Sequence, residues 1–158
     1  MKTSDGIPSA DWEYVEVCAE EIVAASVNDL DCSLLMSNMR KLLNRLRDRY
    51  GRLPSILATE ADYVKDLQLE LSLLKEAYIS ACEINDEKNI AFISASLAEF
   101  YLESEVHINK AEFWVLKLKG ALELFPDSYL STVLSDVTEE IRVKKCIQQK
   151  NETGGVSI

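Results

Sequence analysis

Between Ser55 and Lys119 the chain contains neither glycine nor proline, a run of 65 residues. So long a stretch without the residues that usually make turns argues against an all-β protein, and it cannot be one helix in a compact domain of this length. Polar clusters must supply the turns. They fall near Lys65 and Asp66, at Asn85-Asp86-Glu87 and across Ser104 to Asn109, and predict helices over 55–65, 67–84, 88–103 and 109–124. Pro126 stops the chain, and Asp127 or Ser128 is placed to cap a last helix reaching about Gln148.

Two further helices precede the run. The first is expected to begin near Pro8 and Ser9, with Ser9 as a cap and Asp11, Glu13 and Glu16 near the positive end of its dipole. Trp12, Val15, Ala19, Ile22 and Ser26 recur every three or four residues, which predicts one inward face. Asn28, Asp29 and Asp31 mark a break. The second helix is expected over Ser33 to Tyr50, with Leu35, Met39, Leu42, Leu46 and Tyr50 as its apolar stripe and Gly51 as a left-handed terminus.

The fold class read from this pattern is all-α, with six to seven helices in stacked antiparallel hairpins. A single domain is expected over 1–150, with a first hairpin over 8–52, further hairpins over 54–126 and a final helix over 128–148. The ending, 151–158, carries Gly154-Gly155, has no periodicity and is expected to be disordered.

The net charge of −10 disfavours unspecific binding to nucleic acid or anionic lipid, both of which reward basic surfaces. A basic partner is more compatible. One island has the opposite sign, with Arg40, Lys41, Arg45, Arg47, Arg49 and Arg52 set against Asp48 alone. Lys41, Arg45, Arg49 and Arg52 share an outer stripe, expected to pair with carboxylates of adjacent helices such as Glu13, Glu16 and Glu20. Use of this stripe to hold a phosphate backbone is the competing reading.

Catalytic chemistry finds little to work with. His107 is the only histidine, which excludes sites needing two imidazoles, and it is read as an exposed loop residue. No glycine-rich phosphate loop, nucleophile elbow, zinc-protease helix or calcium loop occurs. Cys18, Cys32, Cys82 and Cys146 match neither a CxxC pair nor a zinc ligand set, and are read as reduced thiols. The expectation is a protein that is not an enzyme and uses neither metal nor cofactor. Acidic residues stand where a signal peptide would need an apolar run, and no stretch suits a membrane span, so a cytoplasmic location is expected.

Leu97, Ala98 and Tyr101, followed by Ala111, Ala121 and Pro126, form a pattern of large, small and aromatic residues with later small ones. Forty residues earlier Leu57-Ala58 aligns with Leu97-Ala98, and Ala81, Glu83 and Ile84 align with Ala121, Glu123 and Leu124. Over about residues 54–126 this resembles the tetratricopeptide repeat. Ala111 and Ala121 come later than in the family pattern, so the second helix or its loop is longer here. The resemblance implies stacked helical hairpins with one curved face that binds peptides or proteins. Carried onto this sequence, its usual contact positions are Phe92, Ala95, Glu99, Leu102 and Glu103.

Small size, acidity and the absence of recognisable chemistry together suggest a protein-binding function. The leading expectation is an immunity protein, by general resemblance, that covers the basic active-site surface of a toxin domain. The alternative is a tetratricopeptide-like adaptor or secretion chaperone gripping a peptide.

Overall fold

A computed structural model describes residues 3–103 and 107–153. Among them are seven α-helices and no β-strand: α1 (Ser9–Val27), α2 (Ser33–Tyr50), α3 (Pro54–Asp62), α4 (Leu67–Glu83), α5 (Glu87–Glu103), α6 (Ile108–Leu124) and α7 (Ser128–Thr153). The chain divides into two compact units, Met1–Asn89 and Ile90–Ile158.

In the first unit, α1 packs on α2, α2 on α3 and α3 on α4. The core gathers Ile7, Val15, Cys18, Ile22, Met39, Leu43, Leu46 and Ile56, with Trp12, Ala19, Leu35, Leu42 and Tyr50 packed at its margin. The inward face of α1 is therefore rotated from the expected one: Cys18 and Ala25 are buried and Ser26 is exposed. On α2 the stripe widens to include Leu43, because this helix packs against both α1 and α3 and has to bury a broad arc.

The polar clusters work as caps. Asp66 accepts from the backbone N–H groups of Gln68 and Leu69 at 2.8 and 3.0 Å, satisfying donors that the first turn of α4 leaves unpaired. Asp86, itself buried, does the same for Asn89 at 3.2 Å at the start of α5. At α1 the N-cap position is held by Pro8 rather than Ser9, and no side chain caps it. Gly51 ends α2 with φ +83° and donates its N–H to the carbonyl of Arg47 at 2.8 Å, a conformation that side chains rarely adopt. α3 stops at Asp62, short of the expected 65, leaving Tyr63 to Lys65 as the link that brings Asp66 to its capping position.

In the second unit α6 packs on α7. Leu97, Ala98, Ala111, Leu118 and Leu130 are almost wholly buried, so small alanines sit among larger side chains in the interior. Asp127 caps α7 by accepting from the N–H of Leu130 at 2.9 Å. His107 occupies the N-cap position of α6 and is exposed. Residues 104–106 of the expected turn lie outside the described residues. Of the tail expected to be disordered, residues 151–153 continue α7, and 154–158 lie outside the described residues.

Candidate functional site

α1 carries Asp11, Glu13, Glu16, Glu20 and Glu21 and no basic residue. Its i, i+3, i+7 spacing sets Glu13, Glu16 and Glu20 along one exposed stripe, with the exposed Val23 and Val27 continuing it. None of these three carboxylates has an ion-pair partner among the described residues.

Half of the basic island is spent elsewhere. Arg47 pairs with Glu60 of α3, Arg49 reaches Asp11 at 3.0 Å, and Arg52 clasps Glu76 of α4 through both its Nε and its Nη2, the latter at 2.7 Å. The hydrogen bonds from Arg52 hold the Glu76 carboxyl below the usual range. The expected pairing with neighbouring helices is present, but its partners are Asp11, Glu60 and Glu76, not Glu13, Glu16 and Glu20. The latter point away from α2, whereas Asp11 lies at the end of α1 where Arg49 and Tyr50 approach it. Arg40, Lys41 and Arg45 remain exposed and without an ion-pair partner among the described residues.

A groove of about 1070 Å³ opens beside the α1–α2 loop. Ile22, Leu30, Met36, Tyr63, Val64 and Leu69 supply apolar surface, and Asp29, Asp31 and Asp66 stand among its lining carboxylates, with Arg40 and Lys65 also present. Asp31 accepts from the N–H and the hydroxyl of Ser33 at 2.9 and 2.5 Å, which holds its carboxyl below the ordinary value and keeps it charged. Asp29 has φ +52°, in the left-handed region that few residues other than glycine adopt.

The residues that the repeat resemblance selects lie on α5, and the structure does not bring them together as an open surface. Ala95 and Leu102 are 4% and 1% exposed and fill the interior. Phe92 is half-buried and stacks on Tyr129 of α7 with ring centroids 6.5 Å apart. The carbonyl of Leu102 accepts from Lys144 Nζ at 2.8 Å, so α7 is engaged at both ends of this stretch. Glu99 is half-buried, and Glu103 alone of the five is exposed.

Burial, and then the neighbouring Glu103, push the Glu99 carboxyl above its ordinary value. Such a group stabilises the fold while protonated, and that contribution is lost as pH rises through the raised folded value. Glu99→Gln is therefore expected to be more stable than the parent at neutral pH. The difference should vanish once the pH falls below about 4, where the carboxyl is protonated in both states. Urea midpoints measured across that range check it.

No protein-family model matches the chain, and no curated protein or solved structure is detectably similar to it. Chemistry must therefore be read from the side chains alone. Among the described residues no group of three or more His, Cys, Asp or Glu could hold a metal ion, and no helix is long and apolar enough to cross a membrane. All four cysteines are free thiols. What the sequence reading missed is that Glu13, Glu16 and Glu20 have no ion-pair partner among the described residues; their spacing was visible, but the identity of the acid facing α2, Asp11, depends on packing.

Proposed function

We propose that the protein is a non-catalytic binder of a basic protein partner, and specifically an immunity protein that neutralises a toxin domain by covering its basic active-site surface. The observation that carries this reading is the exposed stripe of Glu13, Glu16 and Glu20, without ion-pair partners among the described residues and continued by Val23 and Val27. Arg47, Arg49 and Arg52, which could have neutralised an acidic helix, are instead paired with Glu60, Asp11 and Glu76. A nuclease-type toxin must hold a polyanion, so its substrate surface is cationic and complementary to such a stripe. Complementary charge speeds encounter, and the neighbouring valines offer apolar area for the docked state.

The test is co-expression with the product of an adjacent gene that arrests growth by itself. The parent chain should restore growth. Glu13→Lys/Glu16→Lys/Glu20→Lys should slow association by about tenfold or more, with a matching loss of protection, while the helical circular dichroism stays unchanged. Binding insensitive both to salt and to this triple reversal would overturn the proposal.

A second reading, a tetratricopeptide-like adaptor or secretion chaperone, is favoured by the groove beside the α1–α2 loop. Its apolar lining and three carboxylates suit a short segment with alternating apolar and basic residues. Short peptides suffice for binding in that case, whereas an immunity protein requires a folded partner and a larger interface.

A further inference from the structure

The α1–α2 hairpin is antiparallel: Asp11 meets Arg49 and Tyr50 at one end, and the Cys32 thiol lies 3.8 Å from the carbonyl of Ile22 near the other. On the side away from the Glu13, Glu16 and Glu20 stripe it presents a second face, with an open groove of about 630 Å³ between the two helices. Tyr14, Val17 and Glu21 line it from α1, and Leu42, Arg45 and Arg49 from α2. Tyr14 is 68% exposed and Val17 48%. Leu34, Asn38, Lys41 and Arg45 recur at helical spacing along α2, and Leu34 is 71% exposed. This face is thus apolar along its middle, acidic on its α1 side and basic on its α2 side.

We infer that this face is a self-complementary interface and that its occupant is a second copy of the same chain. A surface divided lengthwise into an acidic and a basic half can mate with itself in only one favourable sense. A two-fold axis parallel to the helices sets α1 of each copy on α2 of the other and closes an antiparallel four-helix bundle. The perpendicular two-fold in the same plane would place α1 on α1, acid against acid. In the favoured arrangement Glu21 of one copy lies along the helix that carries Lys41 and Arg45 in its mate, twice over. Tyr14 and Val17 face the mate's groove. Lys41 and Arg45, without partners within the described chain, acquire them in the pair. A basic foreign protein would meet Lys41 and Arg45 as like charges, and an acidic one would meet Glu21. A second copy satisfies both halves.

The experiment uses the full chain in sedimentation equilibrium with two charge-reversed variants. The parent should show twice the monomer mass, with the association weakened by added salt. Glu21→Lys and Lys41→Glu/Arg45→Glu should each be monomeric, since each opposes like charges at both contacts. Mixed in equal amounts they should form a heterodimer, because one contact is then reversed on both sides and the other is native. A parent that stays monomeric up to high concentration overturns the inference. So does a dimer that either variant leaves intact, or a mixture that fails to associate. If one variant fails to fold by circular dichroism, Tyr14→Ser, which leaves the charges in place, should still lower association at least about tenfold, as expected for an aromatic anchor central to an interface. Unchanged association in Tyr14→Ser refutes the inference. The growth-protection assay does not enter this test, so the two proposals stand or fall separately.

Discussion

Replacing Ile7 with alanine is expected to lower the unfolding free energy by about 2–5 kcal/mol, as large as any single truncation in this molecule. Ile7 precedes the first helix, yet it is 0% exposed and belongs to the core formed by α1, α2 and α3. A web of polar contacts fixes it there. Its N–H donates to the Thr3 hydroxyl and its carbonyl accepts from the Thr3 N–H, both at 2.8 Å, while Gly6 turns the chain between them with φ +101°. The Thr3 hydroxyl donates to Asp5 Oδ1 at 2.5 Å, and Asp5 Oδ2 accepts from the N–H of Ser55 at 2.7 Å, capping the start of α3 from 50 residues away. Asn89 Nδ2 then reaches the hydroxyls of Ser4 and Ser55, each at 3.2 Å.

A side chain held in this way cannot collapse into the space that truncation leaves, so the cost should approach the upper end of the range. Val27→Ala, at a residue 78% exposed, is the control and should change stability by less than about 0.5 kcal/mol. Urea unfolding of both variants decides the matter. An Ile7→Ala midpoint equal to that of the parent would mean that the segment before α1 is not part of the folded core.

That segment was not legible in the sequence. Thr3 to Ile7 has no periodicity, and its ordering comes from Ser55 and Asn89, which no local pattern points to. The helices, by contrast, were readable to within about one residue at most of their ends, although α3 stops three residues early and α7 runs on to Thr153 instead of 148. The clusters around Asp66, Asp86 and Asp127 were recognisable as breaks because they contain the side chains that satisfy free N–H groups in the next helix. Facing was less accessible. Leu42 and Leu43 are adjacent, and periodicity alone cannot say which goes inward when a helix has neighbours on two sides. The candidate site followed the same rule: the spacing of Glu13, Glu16 and Glu20 was in the sequence, but their freedom from arginines depended on where α3 and α4 present Glu60 and Glu76. The repeat resemblance selected α5 residues by position, and for Ala95 and Leu102 the packing of the unit closed the surface.

Leu97→Ala should destabilise the second unit by about 2–5 kcal/mol through lost burial and the cavity left behind. Leu97 is 0% exposed, and Ile93 and Tyr101, one turn before and one turn after it, are almost as deeply buried. Its neighbours cannot readily fill a void. Ala98 and Ala111 are themselves small and at 0% exposure. Tyr101 is held by an edge-on contact with Phe100, ring centroids 5.7 Å apart, and by Lys110 5.0 Å from its ring centre. One feature softens the prediction locally: the Ser94 hydroxyl is buried without a hydrogen-bond partner, and a cavity nearby that admitted water would relieve it. The cost should then fall toward the lower end of the range, and Leu97→Ala/Ser94→Ala, with no hydroxyl to relieve, should be more destabilised than the sum of the two single changes. Leu116→Ala, on the exposed side of α6 at 69% exposure, should be close to neutral. Denaturation of the three variants side by side provides the check. A Leu97→Ala loss no greater than that of Leu116→Ala would mean that the large-small pattern around Leu97 and Ala98 does not define the interior of this unit.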